Sequence, residues 1–150
     1  MIITFFGHSK IYNCADLASK IENTILNQII KDEKITFYCG GYGDFDNLCA
    51  KVCKSIKQNG VHCEILLVIP YLPETGRTDI RCKIDSSFYD GSIYPPLERV
   101  PKRLAILKRN EWMLDKSDLI IGFVKHDYGG AYTALEYARR KGKNVINIAV

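Results

Sequence analysis

The chain has 150 residues, 47% of them hydrophobic and 25% charged, with 21 Lys and Arg against 17 Asp and Glu. That length suits one domain whose core needs no metal or disulfide staple, and the near-average composition argues against disorder, collagen and coiled coil. No apolar run approaches a membrane span, the start MIITFFGHSK does not read as a secretory signal, and a net charge of +4 falls short of a nucleic-acid footprint.

The first predicted element is a strand at residues 2–6 (IITFF), a β-branched and aromatic run ended by Gly7. A helix is predicted over 14–30, where Leu17, Ile21, Ile25, Leu26, Ile29 and Ile30 share one face. Residues 35–39 (ITFYC) read as the second strand, closed by Gly40-Gly41. Phe45, Leu48, Cys49, Val52 and Ile56 then recur at helical spacing, with Gly60 as the stop. Residues 63–69 (CEILLVI) form the third strand and end at Pro70. Pro101 suits the first turn of a helix running to about Lys116. Residues 118–124 (DLIIGFV) are the fourth strand. Ala131, Ala134, Leu135 and Ala138 make the inner face of a fourth helix, whose basic last turn Arg139-Arg140-Lys141 precedes Gly142. Residues 144–149 (NVINIA) are the fifth strand.

Near-continuous apolar strands alternating with amphipathic helices predict a parallel sheet covered on both faces. The fold class is α/β: one domain over 1–150, a three-layer α/β/α doubly wound sandwich of about five parallel strands in the order 3-2-1-4-5. The switch point then lies between the first and fourth strands, and ligands of such sheets bind there, at the carboxyl ends of the strands. Residues 70–100 are the exception, a connection longer than compact domains normally use. With Tyr71, Arg77, Arg81, Tyr89, Tyr94 and Pro95-Pro96, the segment reads either as a packed surface excursion or as a flap over the ligand site.

Six cysteines stand at 14, 39, 49, 53, 63 and 82, without a CxxC and without zinc-ligand spacing. They read as reduced, structural thiols, which places the chain in the cytoplasm. No metal and no cofactor are expected.

The glycine signals fall where the fold places ligands. Gly7-His8-Ser9 follows the first strand without the dinucleotide fingerprint, and His8 either binds phosphate or caps a turn. Gly40-Gly41-Tyr42-Gly43-Asp44-Phe45-Asp46 opens a helix, so its backbone N–H groups can approach an anion. Asp44 and Asp46 would repel a phosphate there, and instead cap the helix or accept from ribose hydroxyls. Gly129-Gly130-Ala131-Tyr132-Thr133 joins the fourth strand to its helix, with Glu136 one turn on. Arg109-Asn110 lies in the preceding helix and either faces solvent or turns toward the crevice.

These segments, GHS, GGYGDFDNLCAKV, RNEWMLDKSDLIIGF and GGAYTALEYARRKGKNVINI, together resemble the SLOG superfamily, in particular its small YpsA-like (DUF1273-type) branch. The likeness runs through nearly the whole chain in order, with residues 70–100 poorly anchored. It implies a Rossmann-like fold and a nucleotide-related ligand. The superfamily also holds the Lonely Guy phosphoribohydrolases and the DNA-processing protein DprA. In the enzymatic relatives an arginine and a glutamate serve catalysis, within RKxxM and PGGxGTxxE. Arg109 and Glu136 match those two, while Asn110 replaces the lysine, Tyr128 the proline and Tyr132 the third glycine.

The leading expectation is a binding module that senses or sequesters a phosphorylated nucleotide derivative, such as an ADP-ribose-like or cyclic nucleotide signal. Gly7, His8, Ser9, Gly40, Gly41, Tyr42, Gly43, Asp44, Asp46, Arg109, Asn110 and 129–133 would hold it, with Tyr71, Tyr42 or Tyr132 stacking on the base. The alternative is a nucleoside 5′-monophosphate phosphoribohydrolase, in which Glu136 stabilises the oxocarbenium or positions water and Arg109 orients it. No membrane or nucleic-acid partner is expected, and a homodimer or higher homo-oligomer is.

Overall fold

Ile3, Phe5, Phe37, Ile65 and Ile121 are buried on one face of a parallel sheet, and Phe6, Val68 and Ile120 on the other. Strands that bury both faces must be apolar at consecutive positions, which is why IITFF, ITFYC and LIIGF lack polar alternation. In this computed structural model the described residues are 1–12, 15–29, 33–72 and 88–149.

The chain runs β1 (Ile2–Gly7), α1 (Leu17–Gln28), β2 (Ile35–Cys39), α2 (Gly43–Gln58), β3 (Cys63–Val68), β4 (Gly91–Ile93), α3 (Ala105–Lys116), β5 (Leu119–Phe123), α4 (Gly130–Arg140) and β6 (Asn144–Asn147). The sheet order is β4-β3-β2-β1-β5-β6 with every pairing parallel. The doubly wound sandwich and its switch point, between β1 and β5, are as the sequence implies.

One strand was not expected. Gly91–Ile93 adds an edge beside β3, so the sheet has six strands, not five, and part of the 70–100 excursion is sheet. Three residues carry too little pattern to read as a strand. The pairing Leu66↔Gly91 to Val68↔Ile93 holds it, with Asp90 accepting the Ile65 N–H at 2.8 Å and pairing with Lys57 at 2.5 Å. Residues 73–87 of the expected flap, Arg77 and Arg81 among them, lie outside the described residues, as do Cys14 and Cys82. Pro101 does not open α3 itself but precedes a 3₁₀ turn, Lys102–Leu104, that leads into it.

α1 and α2 cover the face of Ile3 and Phe37, and α3 and α4 the face of Phe6 and Ile120. Cys39, Cys49, Cys53 and Cys63 are buried free thiols in the first of these cores, and burial pushes the Cys49 and Cys53 thiols well up. Among the described residues no helix is long and apolar enough to cross a membrane.

Candidate functional site

A crevice of about 500 Å³ opens at the carboxyl edge of the sheet, at the switch point. That volume lies within the range of small-molecule sites. Four pieces of backbone shape it: the loops after β1, β2 and β5, and the first turns of α3.

The β1 loop is seated by packing and hydrogen bonds. At Gly7 a side chain would overlap the Phe45 ring, so the glycine lets α2 approach the sheet. The His8 N–H donates to the Phe123 carbonyl at 3.3 Å, and His8 Nε2 accepts the Lys125 N–H at 2.8 Å. The imidazole stacks on His126 with ring centroids 4.2 Å apart. Burial, then His126 and Lys125, hold His8 below the usual histidine range.

The β2 loop reaches back to the β1 loop. Gly43, at φ 86°, would place a Cβ 2.7 Å from the Ser9 Cα. The Asp44 N–H donates to the Ser9 carbonyl at 2.8 Å, and Asp44 Oδ2 accepts the Ile11 N–H at 3.1 Å. Asp44 is thus a tie between loops. Asp46 turns the other way, into the crevice, with Oδ2 accepting the Tyr42 N–H at 3.1 Å. Burial pushes its carboxyl up to about 7, against the opposing pull of Arg109 and of the Tyr42 N–H.

Arg109 comes from α3 and is only 2% exposed. Its Nη1 donates to the carbonyls of Gly40 at 3.0 Å and Val68 at 2.7 Å, and its Nε to Asn110 Oδ1 at 2.9 Å. The guanidinium lies 5.2 Å from the centre of the Tyr42 ring. One side chain therefore ties α3 to the ends of β2 and β3 and forms part of the crevice floor. Of the two readings of Arg109, the solvated one is excluded.

The β5 loop is fixed at its root by Asn147, whose side chain accepts the Val124 N–H at 3.1 Å and donates to the Val124 carbonyl at 3.0 Å. It ends at Gly129, at φ 94°, a left-handed conformation that favours glycine. α4 begins at the next residue with no side-chain cap and no acidic residue in its first turn. A Cβ at Gly129 or Gly130 would stand in open space. The positive end of the α4 dipole thus meets the crevice, and backbone N–H groups there suit an anion. The acidic first turn of α2 makes it the poorer anion seat of the two.

Of the residues singled out from sequence, the crevice gathers Gly7, His8, Ser9, Gly40, Tyr42, Asp46, Arg109, Asn110, Gly129, Gly130 and Ala131. It leaves out Gly41, Gly43 and Asp44, which belong to the loop behind it. Tyr71 is also outside, under the Lys102 ammonium, 5.3 Å from its ring centre. Tyr132 packs on the core under α3 and α4. The Thr133 hydroxyl donates to the Gly129 carbonyl at 3.0 Å and faces a second depression of about 390 Å³ between α3 and α4. Glu136 pairs with Arg139 at 2.6 Å and lines neither hollow. The pair Arg109 and Glu136 is therefore not gathered into one site.

Sequence reasoning missed Lys10, Tyr12, Ile106, His126 and Tyr128, which also line the crevice. Their signal was position: each follows β1 or β5 or opens α3, at the edge where the switch point lies, and Tyr128 besides stands where the resembling motif has its proline.

No family model and no curated protein sequence matches the chain. In fold it is similar to the X-ray structure of TM1055, a structural-genomics target. The TM-score is 0.53 over 96% of this chain and 71% of that one, at 13% sequence identity.

Proposed function

We propose that the crevice binds a phosphorylated, nucleotide-derived small molecule and holds it without turnover. The observation that carries this reading is the open, uncapped N-terminus of α4 at Gly129-Gly130, on a crevice of about 500 Å³ walled by Tyr42, Tyr128, His8 and His126. A phosphate takes the α4 N–H groups, and Lys10 adds a cation at the rim. Asp46 offers a carboxylate oxygen to ribose hydroxyls. The motif order that resembles the SLOG superfamily supports the same ligand class, and membership of that superfamily is part of the proposal.

Phosphoribohydrolase chemistry is the weaker reading. It asks Glu136 and Arg109 to face one anomeric carbon, whereas Glu136 is turned to Arg139 outside the crevice. The test is calorimetric titration with ADP-ribose, cyclic nucleotides and AMP, alongside chromatography of the AMP incubation. Heat with at least one of them and no released base is expected. No heat with any of them overturns the proposal.

A further inference from the structure

Tyr128 is 68% exposed at the rim of the crevice, yet its ring is held. It stacks on His126 with centroids 4.9 Å apart and planes 11° from parallel. His126 stacks in turn on His8 at 4.2 Å and 30°. His8 is tied to the sheet through the Lys125 N–H and the Phe123 carbonyl, with the Phe123 ring edge-on at 6.1 Å. Three rings thus form a ladder whose foot is fixed in β1 and β5 and whose last rung faces solvent. Among the described residues His126 is the only ring stacked on Tyr128.

We infer that Tyr128 is the stacking platform for an aromatic nucleobase, an inference that rests on the nucleotide reading above and adds a base subsite to it. An aromatic ring whose neighbours already restrain it loses less freedom when a second ring settles on its open face. Stacking on such a face tolerates any base and grows with ring area, so purines bind ahead of pyrimidines. Gly129 and Gly130 follow directly in sequence, so the platform and the anion seat belong to one loop. A base on Tyr128 and a phosphate at the α4 N-terminus are then the two ends of one nucleotide.

The experiment compares AMP, UMP and ribose 5-phosphate by calorimetry on the wild-type chain, Tyr128→Leu and Tyr128→Phe. Ribose 5-phosphate carries an anomeric hydroxyl where AMP carries the base and is otherwise the same, so their ratio reports the base subsite. In the wild type AMP binds about tenfold or more tighter than ribose 5-phosphate, with UMP between them. Tyr128→Leu brings AMP to within about threefold of ribose 5-phosphate, whose own affinity is unchanged, and Tyr128→Phe keeps the wild-type ratio. If Tyr128→Leu keeps the AMP preference, or weakens all three ligands equally, the platform is overturned while the nucleotide reading stands. If the wild type binds AMP no tighter than ribose 5-phosphate, the platform is overturned, and the nucleotide reading falls with it only if ADP-ribose and the cyclic nucleotides also give no heat. The side chain is exposed, and unchanged melting of the variants verifies that the comparison is between folded proteins.

Discussion

The backbone N–H of Lys125 donates to Nε2 of His8 over 2.8 Å, and a ring nitrogen that accepts carries no proton. His8 is therefore a neutral imidazole with its proton on Nδ1. Protonating Nε2 would break the tie between the β1 and β5 loops and set a cation against His126 and Lys125, the neighbours that, after burial, hold its pKa down. The unfolded chain then binds a proton more readily than the folded one. The contribution is complete above 6.5, the ordinary histidine value, and is lost as pH falls from there through the lowered folded value. Thermal melting between pH 8 and pH 5 should show that loss, and His8→Gln should flatten this part of the profile. A nitrogen-15 spectrum with a protonated Nε2 at pH 7.5 would contradict the assignment.

Asp46 acts in the opposite direction. Its folded carboxyl titrates at about 7 against an ordinary 3.8, so the folded chain is the better proton binder between those values. The contribution is present below 3.8, declines as pH rises through about 7, and is absent above it. Asp46→Asn should therefore raise stability at pH 8, on the order of 1–2 kcal/mol once its partial opening to the crevice is discounted. The amide oxygen can still accept from the Tyr42 N–H. Urea unfolding at pH 5 and pH 8 checks this: the gain should be clearly larger at the higher pH.

Arg109 supplies two donors to carbonyls at the ends of neighbouring strands, inside a site 2% exposed. Arg109→Ala leaves the Gly40 and Val68 oxygens without that donor and empties the space beside Tyr42. A loss of roughly 3 kcal/mol or more is expected. Arg109→Lys should recover little, because one ammonium cannot reach both carbonyls while also replacing the Nε donor to Asn110 and the flat guanidinium beside the Tyr42 ring. Denaturant midpoints give the comparison directly.

The order of strands was legible because apolar runs and amphipathic spacing are local signals that the topology rules then arrange. The crevice followed from the switch point. Its finer geometry was not legible, because long-range contacts decide which way a side chain turns. Asp44 and Asp46 stand two apart in one loop, yet one ties Ile11 and the other lies under Arg109. Gly7 looked like a ligand glycine, and only the Phe45 ring, 38 positions away, explains it as a packing glycine. His126 carried no motif and Tyr128 stood out only as a departure from one, since a ring ladder needs the partner that β1 brings from the other end of the chain.

That distinction between glycines gives a further test. Gly7→Ala forces a methyl into the Phe45 ring, and overpacking of this kind costs about 1–3 kcal/mol or more. Gly130 opens a helix and a Cβ there meets nothing within 4 Å, so Gly130→Ala should fold as well as the wild type. If the α4 N-terminus seats the phosphate, the methyl stands in the ligand's path. Gly130→Ala should then weaken AMP and ribose 5-phosphate alike with no loss of melting temperature.

Glu136 separates binding from hydrolysis. Its carboxylate meets Arg139 one turn along α4, an exposed pair with side chains 40% and 47% accessible. Such a pair contributes about 0.2–0.5 kcal/mol, so Glu136→Ala should change the unfolding midpoint very little. A phosphoribohydrolase that uses this residue would lose base release while keeping its substrate affinity. A binding module whose phosphate sits at Gly129-Gly130, with Glu136 outside the crevice, should show the same AMP affinity in variant and wild type and no base release in either. Chromatography beside calorimetry on the same two proteins decides between them. Base released by the wild type and abolished in Glu136→Ala would require α4 to turn this side chain inward and would return the site to catalysis.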